Sequence, residues 1–209
     1  MNIGSNVARQ ATRHALKRRL ARFPSRCLHE SSQASGYSTV NPDEIALFSR
    51  LSQHWWDEHG EFAFLHKMNP IRMQFIREKM LEVAREEQGE EAAVYMGNGA
   101  NLLNGLDVVD VGCGGGLLSE SLARLGGRTL GIDASEANIS IASLHGAADP
   151  RLSSQNPSSS SGSLTYQHTS AEDLLRNPQR FDVVCSMEVL EHVDNPSGFL
   201  SSCAELLKV

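Results

Sequence analysis

Two periods of apolar residues alternate along the chain, and the switches between them mark its elements. Val108, Val109 and Val111 form a short β-branched run broken only by Asp110, with Gly112, Gly114, Gly115 and Gly116 directly after it. That pattern predicts a strand running into a sharp turn whose backbone can approach a ligand closely. Leu117, Leu118, Leu122 and Leu125 then recur near helical spacing, Gly126-Gly127 stops the helix, and Arg128 to Ile132 returns as a second strand finishing on Asp133. Residues 106–133 therefore read as one βαβ unit. Its closing acid lies about 20 residues past the glycine turn, where a Rossmann-type unit presents a carboxylate to a ribose.

Upstream the period is helical. Pro42 suits a first helical position, Asp43 and Glu44 fill the first turn, and Ile45, Phe48, Leu51 and Trp55 share one face. Phe62 to Asn69 is expected to be a loop, with Pro70 opening a second helix through Ile71, Phe75, Ile76, Met80 and Val83. Residues 41–85 would then make a helical cap, and residues 86–105, acidic and then rich in Gly and Asn, a linker. Downstream, Ser135-Glu136-Ala137 opens a helix, residues 149–163 with their unbroken serines read as a surface loop, and Leu164 to His168 is a third strand. Phe181 to Ser186 is a fourth, and a helix follows from Ser197 to Lys208. Strands alternating with helices over residues 106–209 predict an α/β fold with a doubly wound parallel sheet.

Two nucleotide chemistries could use the glycine turn. A dinucleotide site needs Gly-x-Gly-x-x-Gly with a pyrophosphate on the helix N-terminus, but Leu117 stands where the third glycine belongs. Asp110, two residues before the first glycine, would also repel a phosphate while suiting a cationic aminoacyl group. An acid before a glycine cluster and a second acid closing the next strand is the pattern of S-adenosylmethionine (SAM) methyltransferases. Asp110, Gly112, Gly114 and Asp133 are accordingly candidate cofactor-binding residues. Ser170, just beyond the third strand, would lie at the carboxyl edge of the sheet where an adenine ring is expected. Arg72, near a helix start, could reach a carboxylate bidentately.

Composition changes this picture at the N-terminus. Arg9, Arg13, Lys17, Arg18, Arg19, Arg22 and Arg26 all precede the first acid, Glu30, and serines follow. Residues 1–36 thus have the composition of a mitochondrial transit peptide. A cut before Glu30 would take the formal charge from −6 to −13, because seven basic residues and no acid leave. A domain that acidic is a poor nucleic-acid binder, so no nucleic-acid partner is expected. Cys27, Cys113, Cys185 and Cys203 are far apart without a CxxC pair, which indicates neither a disulfide framework nor a zinc knuckle. No apolar run is long enough to span a membrane, leaving peripheral contact.

After the fourth strand comes Met187-Glu-Val-Leu-Glu-His-Val193. In a helical turn Glu188, Glu191 and His192 would project from one face and could share a divalent cation. The run is also near the His-x-x-Glu-His of inverted zinc proteases, but Glu188 replaces the first histidine. His192 is the residue suited to act as a general base, ranked second to metal ligation.

Four segments together resemble the ubiquinone-biosynthesis O-methyltransferases: Leu51-Ser-Gln-His-Trp-Trp-Asp with Gly60-Glu-Phe, Leu65-His-Lys-Met-Asn-Pro-Ile-Arg72, Asp110-Val-Gly-Cys-Gly-Gly-Gly-Leu-Leu-Ser-Glu-Ser, and Met187-Glu-Val-Leu-Glu-His-Val. The resemblance covers Asn41 to Lys208. It implies a Rossmann-like class I SAM-dependent fold and methylation of ring hydroxyls on polyprenylated catechols or phenols. It further implies Arg72, Gly112, Asp133 and Met187 as SAM contacts, and Glu188, Glu191 and His192 as positions of a metal site, magnesium being the expected ion. The implied setting is the mitochondrial matrix, peripheral to the inner membrane, within a multiprotein ubiquinone-biosynthesis complex.

The family pattern continues past Lys208 into Pro-Gly-Gly and further strands, so the sheet is expected to be incomplete here. The free edge of the fourth strand would then favour self-association. The alternative reading is a truncated SAM-binding module without turnover, acting as an assembly partner in the same pathway.

Overall fold

Four parallel strands form the sheet: β1 (Asp107–Val111), β2 (Arg128–Asp133), β3 (Ser163–His168) and β4 (Val183–Cys185), in the order β3-β2-β1-β4. The computed structural model describes residues 38–99, 101–152 and 162–208, so residues 1–36 and the serine run lie outside the described residues. Val108 pairs with both Thr129 and Val183, which places β1 at the centre. The chain steps outward from β1 through β2 to β3 and then crosses to the other side of β1. Such a reversal opens a crevice at the carboxyl ends of the central strands.

Period-two alternation along β1 divides the core. Val108 joins Ile76, Met80, Leu103, Leu118 and Leu122 on one face of the sheet, while Val109 and Val111 join Leu130, Ile132, Leu174, Phe181, Phe199 and Leu206 on the other. Helices cover both faces: α1 (Pro42–Leu51), α2 (Ala63–Gln88), α3 (Glu90–Gly97), α4 (Leu117–Arg124), α5 (Glu136–Ala148), α6 (Ala171–Leu174) and α7 (Pro196–Glu205). This is the Rossmann-like doubly wound arrangement. The edge strand β3 reads as one, with Ser163, Thr165, Gln167 and His168 exposed.

Helix boundaries follow local capping. Asn41 accepts hydrogen bonds from Asp43 N (2.9 Å) and Glu44 N (3.1 Å), and Ser135 accepts one from Asn138 N (3.3 Å). The expected loop at Phe62–Asn69 is instead helical, because α2 runs unbroken through Pro70. Tertiary ties override proline here: the His66 ring bonds the Trp55 carbonyl at 2.8 Å, and Asn69 donates to Ser121 Oγ at 3.0 Å. The expected linker at 86–105 is also corrected. Residues 90–97 form α3, which packs on α2, and Leu102 and Leu103 are buried in the core.

The expected bare edge beyond β4 is paired at its start. Phe181 N–H donates to Leu206 O and Lys208 N–H to Phe181 O, each at 2.9 Å. Lys208 also reaches Asp107 and Asp182, anchoring residues that had been expected to continue α7.

Candidate active site

The crevice at the carboxyl ends of β1, β2 and β4 is a cavity lined by Gly112, Gly114, Asp133, Asn138 and Ser170 on the sheet side and by Glu44, Phe48, Glu188 and His192 opposite. Strand β1 delivers the glycine turn. Gly112 N and Cys113 N both donate to Ile132 O, at 2.8 and 2.9 Å, which stitches the turn to the end of β2.

Positive φ is required at Gly112 (75°), Gly114 (53°) and Gly116 (89°). The close approach that these glycines permit is to side chains of the protein itself. A β-carbon would overlap Val189 at Gly112, the Trp55 ring at Gly114, and the Tyr166 hydroxyl at Gly116. Trp55 thus covers the turn. Its ring stacks on Phe62 at 3.9 Å, and its Nε1–H donates to Asn138 Oδ1 at 2.9 Å. Neighbouring Trp56 donates to Gly115 O at 3.0 Å and stacks on His145.

Asp133 closes β2 with a buried carboxylate. Oδ2 accepts from Gly114 N (2.9 Å), and Oδ1 accepts from Ser135 N (2.8 Å) and Asn138 Nδ2 (3.3 Å). Burial raises its pKa against those donors, which pull it down. The carboxylate is therefore fixed in direction while lining the cavity.

Asp110 lies behind it, 2% exposed, accepting from Ser119 Oγ at 2.6 Å. Burial pushes its pKa up to about 6; Ser119 and the Arg72 charge oppose the rise, and Asp133 adds to it. Arg72 comes from α2 and is itself buried, with Nε and Nη2 lacking any hydrogen-bond partner among the described residues. A buried guanidinium with two unanswered N–H groups is costly, and its two free donors match a carboxylate.

The expected helical face at 187–193 does not form. Glu188 adopts φ 59°, and only Leu190–His192 make a short 3-10 turn, so no helical turn carries all three side chains: Glu188 and His192 line the cavity and Glu191 does not. His192 Nδ1 pairs instead with Glu44 of α1 at 2.9 Å, and Glu191 Oε1 stands 3.9 Å from Nε2 with an exposed side chain. Among the described residues no group of three His, Cys, Asp or Glu side chains is placed to hold a metal ion. The donor set expected for magnesium does not fit this geometry. Met187 packs against the apolar core instead of lining the cavity. Cys113, Cys185 and Cys203 are buried, and burial raises each thiol, Cys203 to about 11, which keeps them protonated at neutral pH.

Comparison with known families agrees with this arrangement. A family described as "Methyltransferase domain" matches residues 109–209. Residues 109–209 are thus similar to a methyltransferase domain. The chain is 42% identical over 174 residues to the ubiquinone biosynthesis O-methyltransferase of Cereibacter sphaeroides, covering 83% of this chain and 62% of the relative. It is 42% identical over 179 residues to the enzyme of that name from Caulobacter sp., covering 85% and 63%. The chain thus spans about six-tenths of the length of these curated relatives. Among solved structures it is similar to the magnesium protoporphyrin IX methyltransferase of Synechocystis PCC 6803 with bound SAM, at 21% identity and a TM-score of 0.48, covering 82% of this chain and 74% of that one.

Several residues of the cavity were not singled out for it in the sequence. Glu44 reads locally as a first-turn acid and Asn138 as an ordinary helical polar residue. Thr39, which donates to Glu172, precedes the first helix with no motif around it. Asn138 had one faint signal, its place three residues after the cap Ser135.

Proposed function

We propose that this chain binds SAM in the cavity and that the protein methylates a ring hydroxyl of a polyprenylated catechol or phenol in ubiquinone synthesis. One observation carries the reading: the cavity brings Asp133, at the carboxyl end of β2, into one space with His192. The names of the relatives support O-methylation in ubiquinone biosynthesis.

Asp133 would take the ribose hydroxyls, since a fixed carboxylate offers acceptors to two adjacent donors. Ser170 and Ala171 line the cavity beyond the carboxyl end of β3 and would border the adenine. Arg72 and Asp110 are buried and do not line the cavity, so the aminoacyl end would have to reach past its wall for the two free N–H groups to answer the carboxylate and for ionised Asp110 to face the ammonium. Bound SAM supplies an electrophilic sulfonium methyl carbon. The chain's own part is to hold the acceptor oxygen in line and to take its proton, for which His192 is the imidazole in the cavity. Ile45, Phe48, Val189 and Phe199 provide apolar walls for a ring.

The basic, acid-poor composition of residues 1–36 supports import into the mitochondrial matrix. Peripheral contact with the inner membrane and membership of a biosynthetic complex belong to the same proposal. Among the described residues no helix is long and apolar enough to cross a membrane.

Calorimetric titration with SAM, paired with transfer of radiolabelled methyl to a catechol, tests the reading. Binding is expected at pH 7.5, weakening as pH falls below about 6, where Asp110 takes up a proton. Because a cationic group would favour ionised Asp110, binding must then expel that proton, which costs about tenfold in affinity per pH unit. Absence of SAM binding at pH 7.5 would refute the proposal.

A further inference from the structure

We infer that Glu44 is a positioning residue for His192, which makes the first turn of α1 part of the acceptor side of the cavity. The inference rests on the methyl-transfer reading above for its purpose, though its geometry stands apart from it. Glu44 Oε2 lies 2.9 Å from His192 Nδ1, and the two side chains are 33% and 34% exposed. They are 148 residues apart in the chain. Phe48, one turn further along α1, sets its ring against the imidazole at 5.0 Å and 85°. One α1 side chain therefore fixes the direction of the imidazole and another fixes its tilt.

The helix that carries them is itself tied to the segment after His192. Asn41, its cap, donates to Asp194 Oδ1 at 2.7 Å, Asp194 N–H donates to Thr39 O at 3.0 Å, and Val40 bridges Val193. With Nδ1 engaged by a carboxylate, a neutral imidazole keeps its proton there and leaves the Nε2 lone pair free. Glu191 at 3.9 Å is beyond hydrogen-bond range of Nε2, and besides Glu44 the acids on the cavity wall are Asp133, Glu172 and Glu188.

An acid in a first turn also has a plain role, offsetting the helix dipole. Substitutions separate the two. Glu44→Asp keeps the charge in the turn but shortens its reach, whereas Glu44→Gln removes the charge and keeps an oxygen in reach of Nδ1. In chain labelled with ¹⁵N-histidine and held at pH 8, His192 is expected to be the Nδ1–H tautomer in the wild type and in Glu44→Gln. It should move towards Nε2–H in Glu44→Asp and Glu44→Ala. The kcat for catechol methylation should fall about ten- to a hundredfold in the last two, with SAM affinity unchanged.

An unchanged His192 spectrum in Glu44→Ala would overturn the inference, as would a Glu44→Asp chain that matches wild type while Glu44→Gln does not. Because the tautomer is read without turnover, failure of the inference is distinct from failure of SAM to bind.

Discussion

Arg72→Met is expected to lower SAM affinity by about a hundredfold while changing the stability of the ligand-free chain by less than about 1 kcal/mol. Two charge-assisted hydrogen bonds to a ligand carboxylate are worth together about 3 kcal/mol, which is that factor in affinity. The small effect on stability follows from two opposed terms. Methionine removes the buried Nε and Nη2 groups that have no partner, which favours the variant. It also takes away the positive charge that holds down the pKa of Asp110, which disfavours it. Proton uptake by Asp110 limits that second cost. Calorimetry and thermal unfolding on the same preparation decide the matter. Undiminished SAM affinity would remove Arg72 from the site, and a large loss of stability would make it a structural cation.

Gly116→Val is expected to be the most damaging single change in the glycine turn, costing at least about 3 kcal/mol. The residue sits at φ 89°, which a β-branched side chain adopts only with strain. Its new β-carbon would overlap the Tyr166 hydroxyl and press on Ala142. Tyr166 has little room to yield, since its ring also lies against Gly131 and Gly146. For a chain of this size the melting temperature should fall by about 10 °C. Gly97→Ala, in helix α3 where the added carbon meets only ordinary contacts, provides the control and should be neutral or slightly stabilising. Equal melting temperatures for wild type and Gly116→Val would show that the turn is not tightly packed against Tyr166.

The parts of the fold that could be read from the sequence are those decided by neighbours in the chain. β1, the glycine turn, α4 and β2 appear as expected because strand period, positive-φ glycines and caps act within a few residues. Gly112, Gly114 and Asp133 reach the cavity for the same reason, their spacing being fixed by one βαβ unit, while Asp110 of the same unit is buried outside its lining. Pro70 misled because a local breaker was outweighed by contacts to Trp55 and Ser121, which no local rule contains. Residues 86–105 misled because polar composition hid Ala93, Leu102 and Leu103, whose burial depends on α2 passing over them. At 187–193 the charged residues have helical spacing, but Glu188 at φ 59° breaks the turn. The bond from Glu44 to His192 then assigns the histidine a partner that sequence spacing could not identify.

Titration of SAM into Asp133→Ala beside the wild-type chain asks whether the carboxyl end of β2 forms the SAM site. Asp133 is nine-tenths buried and held by three donors, so its acceptors are fixed towards the cavity. Loss of its hydrogen bonds to ribose should cost about 2 to 3 kcal/mol, or about thirty- to a hundredfold in affinity. A circular dichroism spectrum matching wild type would confirm that the variant tested is folded. A folded Asp133→Ala chain that binds SAM as tightly as wild type would show that the cofactor does not sit at the end of β2.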